Sequence, residues 1–555
     1  MLLRGSDIIV KTIIEQGCDT VFGYPGGQII DVYDSLYQYQ DEIRHILTAH
    51  EQGAVHAADG YARSTGKTGV VIATSGPGAT NLVTGIATAY IDSVPMVIVT
   101  GNVVREQIGS DSFQEIDITG ITLPITKHNY FVDSIDTLAD TIREAFEIAA
   151  SGRPGPVLID VPRDVQMEEF EYEAKPSVVP GGRITAKDIR IEPAAECINQ
   201  CKRPFIYFGG GLISSGAQEE MFELAELIDA PIGCSMMGIS GVPSDHPRFL
   251  GMQGMHGHYA SSMSMHSADC IITLGVRFND RVTGNRAKFA TRSKIVHIDI
   301  EGAELSKTTN DTHKLRGDIK MTLQKLIPLI QQKEHPEWQE RIASFKDKEK
   351  ETLDCREGMT PRNIIQMLNK YKNANTPVAT DVGQHQMWAA QNLEFASTRR
   401  FISSGGLGTM GFGMGAAIGA QIATGERSVL ITGDGSFAMS LNEFATAVTY
   451  QVPMVIMIMN NGVLGMVRQW QTLFYDKHYS ATVLNRQTDF VKLAEAFGGA
   501  GMSVQSLEEL EIALENAFHY DGPFIIDCKI DKDECVFPML PPGGSMDDII
   551  VKAGN

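Results

Sequence analysis

The sequence predicts an α/β protein made of three doubly wound parallel-sheet domains with a short C-terminal tail. Short Val- and Ile-rich runs alternate with helical patterns along the whole chain. These runs are continuously apolar, which is typical of strands that helices cover on both faces. The 54 glycines cluster where strands should meet helices. With 555 residues, of which 43% are hydrophobic, the chain can build several such domains.

The predicted strands are apolar runs bounded by Pro, Gly or polar residues. They cover residues 69–73, 95–100, 156–160, 204–208, 270–274, 294–299, 429–432, 453–459 and 523–527. Residues 1–19 predict an amphipathic helix that belongs to the fold, because they lack the apolar stretch and cleavage site of a targeting segment. No run of about 18 apolar residues occurs, so we expect no membrane span.

Two stretches have the composition of connectors. Residues 171–183 are rich in Pro and Gly, and residues 331–357 are charged and helix-like. They predict an N-terminal domain at 1–172, a central domain at 185–335, a C-terminal domain at 360–535 and a tail at 536–555.

The first and third domains share landmarks. Gly76-Pro77-Gly78 lies 19 residues before Pro95 of a VPMVI run, and Gly433-Asp434-Gly435 lies 20 residues before Pro453 of a second one. The offset is about 357 residues at both landmarks. Either strand–helix–strand units simply look alike, or one α/β domain was duplicated and its copies specialised. The repeated loop, helix length and strand favour duplication.

Charge and cysteine usage narrow the functional classes. The 47 Lys and Arg against 68 Asp and Glu give a net charge of −21, which disfavours a nucleic-acid partner. The eight cysteines are scattered, and none forms a CxxC pair. This usage is typical of a reducing compartment and predicts a cytoplasmic protein.

Two polar side chains follow neighbouring predicted strands of the third domain. Asp434 lies in a Gly-Asp-Gly loop, and Asn461 ends the next strand. Both would project from the carboxyl ends of parallel strands, where open α/β sheets bind ligands. Glycines let the backbone approach a phosphate, and Mg²⁺ prefers carboxylate, amide and carbonyl oxygens. A tight turn plus an Asn cap is the simpler alternative.

The spacing of GDGSF and NNG, 27 residues from Asp434 to Asn461, resembles the cofactor motif of thiamine-diphosphate enzymes. The resemblance implies that Mg²⁺ binds Asp434, Asn461 and the main-chain carbonyl of Val463, and that Met410 holds the cofactor bent. Further thiamine diphosphate contacts are implied at Glu51, Val382, Gly383, Gln384, His385, Gly408, Gly435, Ser436, Leu464, Gly465 and Met466.

Glu51 is the candidate for the proton exchange that starts the chemistry. Its neighbours Ala49, His50, Ala54 and Val55 predict a buried carboxyl, although a Glu near a helix start is more often a solvated cap. The stretch AHEQGAVHAADGYAR resembles the family segment whose Glu exchanges a proton with the pyrimidine N1′. In that family the Glu and the metal meet across a subunit interface, which implies a homodimer or homotetramer.

More local motifs resemble the large catalytic subunit of acetolactate synthase, also called acetohydroxyacid synthase. They are FQE (113–115), ITKHNY (125–130), SGRPGPVLIDVP (151–162), GMHG (254–257), GVRFNDRVTG (275–284), KIVHIDIE (294–301) and GMVRQW (465–470). The implied activity is decarboxylation of pyruvate and transfer of the two-carbon unit to pyruvate or 2-ketobutyrate. This is the first common step of branched-chain amino-acid biosynthesis. A separate small regulatory subunit is the implied partner.

The resemblance assigns the pyrimidine, FAD and diphosphate to the first, second and third domains. PFIYFGGG (204–211) is by itself a weak dinucleotide signal. FAD contacts are implied at Arg153, Gly209, Gly210, Gly211, His256, Gly257, Gly275, Arg277, Asp280, Arg281, Asp299, Ile300 and Asp318. Asn279 stands where many relatives have Asp.

Substrate recognition is expected from a few side chains. Arg281 can pair with the carboxylate of the second 2-keto acid, and Trp470 offers a flat wall to the extra methylene of 2-ketobutyrate, worth ~1–3 kcal/mol. Core packing is the alternative for Trp470. Gln114 matches a residue near the reacting centre, and Phe113 is its apolar neighbour. The tail from 537 onward, including Pro542, matches a segment that closes over the site.

Two alternative functions stay open on sequence grounds. A flavin-dependent pyruvate oxidase shares the scaffold but consumes oxygen or a quinone, and usually lacks the RFNDR and GMVRQW combination. A non-catalytic homologue would serve as an assembly partner. The presence of Glu51, Asp434 and Asn461 argues against the latter.

Overall fold

The computed structural model describes residues 1–177, 190–353 and 355–552. Over this part of the chain it contains three six-stranded parallel sheets, each flanked by helices, and one antiparallel strand pair. The predicted α/β class is therefore confirmed.

The first domain is built on the sheet order β3-β2-β4-β5-β7-β6, and β1 pairs with β8. Its strands are β1 (Leu2–Arg4), β2 (Thr20–Tyr24), β3 (Arg44–Leu47), β4 (Gly69–Ala73), β5 (Met96–Asn102), β6 (His128–Phe131), β7 (Pro156–Pro162) and β8 (Glu169–Glu171). Its helices are α1 (Gly5–Glu15), α2 (Ile30–Gln38), α3 (Glu51–Thr65), α4 (Pro77–Asn81), α5 (Val83–Asp92), α6 (Ile118–Thr122), α7 (Ile135–Ala150) and α8 (Arg163–Met167).

The central domain has the sheet order β11-β10-β9-β12-β13-β14. Its strands are β9 (Pro204–Phe208), β10 (Ile232–Cys234), β11 (Phe249–Met252), β12 (Cys270–Leu274), β13 (Lys294–Asp299) and β14 (His313–Arg316). Its helices are α9 (Glu192–Asn199), α10 (Gly210–Ser215), α11 (Gln218–Leu227), α12 (Tyr259–Ser267), α13 (Asp280–Thr283), α14 (Ile319–Leu326) and α15 (Pro336–Thr352). In chain order the sheet reads 3-2-1-4-5-6, the arrangement of dinucleotide-binding folds.

The third domain has the sheet order β16-β15-β17-β18-β20-β19. Its strands are β15 (Val378–Thr380), β16 (Phe401–Ile402), β17 (Ser428–Gly433), β18 (Met454–Asn460), β19 (Ala500–Val504) and β20 (Pro523–Lys529). Its helices are α16 (Pro361–Tyr371), α17 (Gln384–Asn392), α18 (Phe412–Thr424), α19 (Asp434–Ser440), α20 (Glu443–Thr449), α21 (Gly465–Phe474), α22 (Phe490–Phe497) and α23 (Leu507–His519). Short 3₁₀ helices lie at Arg105–Gln107, Leu123–Ile125, Met236–Gly238, Ile327–Leu329 and Met546–Asp548.

All the predicted strands are present. The helix predicted for residues 1–19 covers only Gly5–Glu15, because Leu2–Arg4 instead forms β1 and pairs with β8. The strands that the sequence did not reveal are mostly short or lie towards sheet edges, where fewer apolar residues are needed. The stretch 331–357 is more than a connector, because Trp338 and Ile342 of α15 pack into the core of the central domain. The domain bounds themselves stay predictions, and residues 178–189, 354 and 553–555 lie outside the described residues.

The first and third domains are joined within the chain by helices α3 and α18. Small residues let the two backbones approach closely. A Cβ at Gly60 would lie 2.1 Å from the Ala416 carbonyl oxygen, and one at Gly419 would lie 1.9 Å from that of Ala57. This contact fixes the first domain against the third. Within the described residues, every helix is too short or too polar to cross a membrane.

Candidate functional site

Three strand ends of the third sheet bring the predicted thiamine residues together. Gln384 and His385 begin α17 after β15, Asp434 begins α19 directly after β17, and Asn461 follows β18. The chain order reverses between β15 and β17, and ligands bind at such a reversal in open α/β sheets. The sheet topology, rather than proximity in sequence, therefore creates the site.

The predicted metal ligands offer carboxylate, amide and carbonyl oxygens. Asp434 is buried, and this burial raises the pKa of its carboxyl to about 6. The Asn461 amide donates to Gln384 Oε1 at 3.4 Å and accepts from the Val463 N–H at 3.2 Å. A backbone bridge to Val483 holds Val463 in place. Carboxylate, amide and carbonyl oxygens suit Mg²⁺, whereas the described residues contain no cluster of three or more His, Cys, Asp or Glu side chains that could hold a metal.

Unpaired polar atoms next to these ligands fit a bound cofactor. Asp381 Oδ2 and His385 Nε2 are buried without a hydrogen-bond partner among the described residues. Burial lowers the pKa of His385 to about 3, so its ring is neutral. The Ser436 hydroxyl donates to the Val382 carbonyl at 3.0 Å, which ties the loops after β15 and β17 together. A buried site that still offers polar atoms fits a polar ligand.

Glycines and small contacts shape the rest of this site. A Cβ at Gly465 would lie 1.9 Å from Gln384 Oε1, and one at Gly435 would lie 2.9 Å from Leu464 Cδ2. Gly408 has φ +71°, a conformation that favours glycine, two residues before the half-buried Met410. Gly383 precedes α17, and Met466 lies in the first turn of α21.

Three polar residues of this region escaped the sequence analysis. Asp381 accepts from the Gly411 N–H at 2.8 Å and so anchors the loop that carries Met410, and burial raises its pKa to about 6. Gln469 accepts from the Gln384 amide at 3.0 Å and donates to the Val536 carbonyl at 3.0 Å. Asp527 accepts from Asn460 at 2.8 Å. Gln469 lies within the GMVRQW motif, and Asp381 directly precedes Val382, a predicted contact. Asp527 lies within a strand, and no sequence pattern marks it.

Glu51 is the first residue of α3 and is only 9% exposed. Its carboxylate accepts from the Asn81 amide at 2.9 Å, and the helix is capped instead by His50, whose ring accepts from the Gln52 N–H. The solvated-cap alternative is therefore wrong. Asn81 ends α4, in the ATSGPGATN stretch that follows the Glu51 motif.

The predicted substrate residues of the first domain lie beside the turn at Gly76, which leads into α4. A Cβ at Gly76 would be 2.9 Å from the Gln114 Cβ, and Gln114 itself has φ +63°. Phe113 is 84% exposed. The structure thus places Gln114 close to the turn that leads to Asn81, while the Phe113 ring stays exposed to solvent among the described residues.

The structure brings Arg281 and Trp470 together from two domains. The Arg281 guanidinium lies 5.7 Å from the Trp470 ring centroid, and its Nη1 lies 3.4 Å from Met255 Sδ. The tail packs here: Met539, Leu540 and Met546 form a buried cluster with Met255, against which Trp470 packs. Trp470 is only half-buried, so the core-packing alternative does not account for its whole surface. Pro542 is exposed.

The predicted FAD residues follow the carboxyl ends of the central strands, apart from Arg153. Gly209, Gly210 and Gly211 follow β9, His256 and Gly257 follow β11, Gly275, Arg277, Asp280 and Arg281 follow β12, Asp299 and Ile300 lie at the end of β13, and Asp318 follows β14. The chain order reverses between β9 and β12, where dinucleotides bind. A Cβ at Gly211 would lie 2.7 Å from the Gly275 Cα, so only glycines allow these two loops to meet.

Several side chains around this crevice are held by hydrogen bonds or ion pairs within the protein. Asp318 caps α14 by accepting from the Met321 N–H at 3.0 Å, and burial raises the pKa of Asp299. His256 lies 3.3 Å from the Pro538 carbonyl, and burial lowers its pKa to about 4. Asn279 caps α13 through the Val282 N–H at 3.2 Å, so the change from Asp keeps the helix start. Arg153 and Arg277 both lie 3.4 Å from Glu304 Oε1.

Comparison with known families covers most of the chain. Residues 3–121 match the model "Thiamine pyrophosphate enzyme, N-terminal TPP binding domain", residues 191–326 the central domain of the same enzymes, and residues 381–528 their C-terminal TPP binding domain. The chain is 42% identical over 553 residues to acetolactate synthase isozyme 2 large subunit of Escherichia coli, covering 99% of this chain and 100% of that protein. It is 43% identical to the probable acetolactate synthase large subunit of Methanocaldococcus jannaschii, over 99% of this chain and 95% of that protein. It is 44% identical to the acetolactate synthase large subunit of Parasynechococcus marenigrum, over 98% of this chain and 90% of that protein.

Proposed function

The chain belongs to the thiamine pyrophosphate enzymes and, among them, to the acetolactate synthase large subunits, and on that premise we propose which residues perform each part of the reaction. It is the catalytic subunit of acetolactate synthase, a transferase of branched-chain amino-acid biosynthesis that takes pyruvate and either a second pyruvate or 2-ketobutyrate. Its cofactors are thiamine diphosphate, Mg²⁺ and FAD.

Thiamine diphosphate, when bound, supplies the electron sink for loss of CO₂ from pyruvate. Asp434, Asn461 and the Val463 carbonyl would hold Mg²⁺, whose charge would neutralise that of the diphosphate. Glu51 holds and releases the proton at the pyrimidine N1′, and the Asn81 amide keeps its carboxyl oriented.

The second 2-keto acid is bound by the residues where the central and third domains meet. Arg281 binds its carboxylate, and the Trp470 ring packs against its alkyl group. The buried Met539 and Leu540 of the tail exclude water from this side of the site.

One observation supports this proposal above all: Asp434, Asn461 and Gln384 lie together at three separate strand ends, where the chain order of the sheet reverses.

The first experiment is product identification. The protein is incubated with pyruvate, thiamine diphosphate, Mg²⁺ and FAD while dissolved oxygen is recorded. Acetolactate without matching oxygen uptake is expected. Acetate or acetyl phosphate with matching uptake would contradict the proposed roles of Arg281 and Trp470 and favour the oxidase.

We also propose that the active site is shared between two copies in a homodimer or homotetramer. The hydrogen bond of Glu51 lies within the first domain and those of Asn461 within the third, while Phe113 and Leu123 expose most of their surfaces. A mixture of two inactive variants, Glu51→Gln and Asp434→Asn, should recover activity after subunit exchange if each site takes one half from each copy. No recovery in mixed dimers would refute sharing.

The relatives are named as large subunits, which supports a separate small regulatory subunit for this chain. The cysteines of the described residues are free thiols, which supports the proposed cytoplasmic location. Copurification of a tagged chain from its source cells tests the first point, and cell fractionation tests the second.

A further inference from the structure

The end of α5 is a junction at which all three domains make polar contacts. Thr88 and Asp92 of α5 contact the third domain, and the carbonyl groups of Tyr90 and Ile91 accept from arginines of the first and central domains. None of these α5 residues belongs to a cofactor motif. Their contacts nevertheless reach both proposed cofactor sites.

Asp92 holds the loop that leads to Gly408 and Met410. Its carboxylate accepts the backbone N–H groups of Gly405 at 3.1 Å and Gly406 at 2.8 Å. A Cβ at Gly406 would lie 2.0 Å from Ile91 Cγ2, so the loop lies directly on the helix. Three residues further on, the hydroxyls of Thr88 and Thr409 are 2.7 Å apart.

Arg63 keeps the Asp92 carboxylate in this position. Its Nη2 donates to Asp92 Oδ2 at 3.0 Å, and its Nη1 donates to the Ser403 carbonyl at 2.9 Å. The ion pair is buried, with the two side chains 9% and 2% exposed. Arg63 is also ion-paired with the buried Asp59, which fixes the guanidinium independently of Asp92. The Asp92 carboxylate is therefore held by a fixed cation, and moving it away would leave a buried negative charge uncompensated.

The proposed flavin residues contact the same helix end. Arg153 donates to the Tyr90 and Ile91 carbonyls at 3.2 Å each and to the Ser93 hydroxyl at 2.8 Å, and Arg277 donates to the Ile91 carbonyl. Cations at a helix C-terminus satisfy its free carbonyl groups and its dipole.

Both arginines are ion-paired with the carboxylate of Glu304, which Lys307 also contacts at 3.1 Å. Both lie 3.4 Å from Glu304 Oε1, and burial together with Arg277 lowers the pKa of Arg153. Glu304 thus faces three cations, so an anion bound beside the two arginines would add to the charge compensation and hold both guanidinium groups against α5.

We infer that Asp92 is a positioning residue through which FAD binding strengthens thiamine diphosphate binding. The inference rests on the proposed function, since it takes Arg153 and Arg277 as flavin residues and the loop of Met410 as part of the thiamine site. Flavin orders the arginines, the arginines fix the end of α5, and Asp92 transmits this order to Gly405 and Gly406.

The test measures the affinity of the apoprotein for thiamine diphosphate and Mg²⁺ by calorimetry, with and without saturating FAD. For the unaltered chain we expect FAD to tighten binding at least about fivefold, and the cofactor to tighten FAD binding by the same factor. Asp92→Asn should bind thiamine diphosphate more weakly, still bind FAD, and lose this mutual effect.

Asp229→Asn is the matched control, because Asp229 is ion-paired with Arg248 at 2.8 Å in the central domain, and it should keep the full effect. If Asp92→Asn does not fold, Thr88→Val removes the Thr409 contact and should reduce the effect. Full coupling in a folded Asp92→Asn variant would overturn the inference, as would full coupling in Thr88→Val where the Asp92 variant does not fold. The absence of coupling in the unaltered chain would also overturn it.

A fourth variant separates the two proposals. Arg277→Met should weaken FAD binding if the proposed flavin site is correct. Unchanged FAD affinity in that variant would refute the flavin site itself. Weakened FAD affinity in Arg277→Met, combined with intact coupling in Asp92→Asn, would refute only the role of Asp92.

Discussion

The first and third domains have the same strand order but supply different chemistry. In each, the fourth strand of the sheet in chain order ends in an Asn whose amide donates to an Asp on the neighbouring strand: Asn102 to Asp160 at 2.6 Å, and Asn460 to Asp527 at 2.8 Å. The register is also the same, because each Asp faces the residue two positions before the Asn. Duplication explains this repeated pair better than a general likeness between strand–helix–strand units.

The two domains differ at the positions that would bind a metal. The helix after the third strand begins at Pro77 in the first domain and at Asp434 in the third, 357 residues later. After the fourth strand, buried Val103 stands where the third domain has Asn461. Neither Pro77 nor Val103 has a side-chain oxygen. The shared topology therefore provides the place for a site, and the loop residues decide its chemistry.

The largest expected effect tests the acid–base part of the first domain. Glu51→Gln removes the proton exchange but keeps the shape of the side chain, so kcat should fall at least about 100-fold. Thiamine diphosphate affinity, measured by calorimetry in the presence of Mg²⁺, should stay close to that of the unaltered protein. Equal losses of affinity and activity would sink the role assigned to Glu51.

The next effect tests the metal part of the third domain. Asp434→Asn removes the only charged ligand proposed for Mg²⁺, and thiamine diphosphate affinity should fall about 10- to 100-fold or more. Asp489→Asn, an exposed helix cap of the same domain, is the control. An Asp434 variant that keeps Mg²⁺-dependent cofactor binding would show that the two domains do not differ in the way proposed.

A smaller effect tests the contact between the central and third domains. Trp470→Leu removes the flat wall beside Arg281, so the preference for 2-ketobutyrate over pyruvate as acceptor should fall about tenfold. The ratio of the two products in a competition assay measures this. Trp338→Phe, in the core of the central domain, should leave the ratio unchanged. If Trp470→Leu gave the same product ratio as Trp338→Phe, Trp470 would have only a packing role.

The last prediction concerns stability, rather than activity, and the Asn–Asp pair that both domains share. Burial raises the pKa of Asp160 from its ordinary 3.8 to about 7, so the folded state binds this proton more tightly than the unfolded state. The contribution of Asp160 to the free energy of unfolding is therefore fully present below about pH 4. It is lost as the pH rises towards 7, by at most about 1.4 kcal/mol per pH unit.

Asp160→Asn should flatten this pH dependence of urea unfolding between pH 5 and 8 and leave activity unchanged. Asp527→Asn is the paired variant, and it should be destabilised at pH 8, because it leaves Lys529, now 2.7 Å from Asp527, without its ion pair. Identical pH profiles for the Asp160 variant and the unaltered protein would contradict the assignment.

Much of the fold and of the site could be predicted from the sequence. Buried parallel strands are continuous apolar runs, so the central strands were found. GDGSF and NNG are recognisable in the sequence because backbone turns and ligand chemistry restrict which residues can occupy these loops. Short strands near sheet edges such as β16 carry no such signature, and Asp527 is hidden within an apolar run.

The sequence by itself determined the α/β class and the family, and it supplied the residues proposed for both cofactor sites. Only the tertiary structure decided which of them meet: Arg281 with Trp470, Asp381 with the loop of Met410, and Asp92 with both Arg63 and Gly406. The physical reason is that these contacts join residues tens to hundreds of positions apart. The order of strands and the close packing of α3 on α18 set them, and no local pattern encodes either.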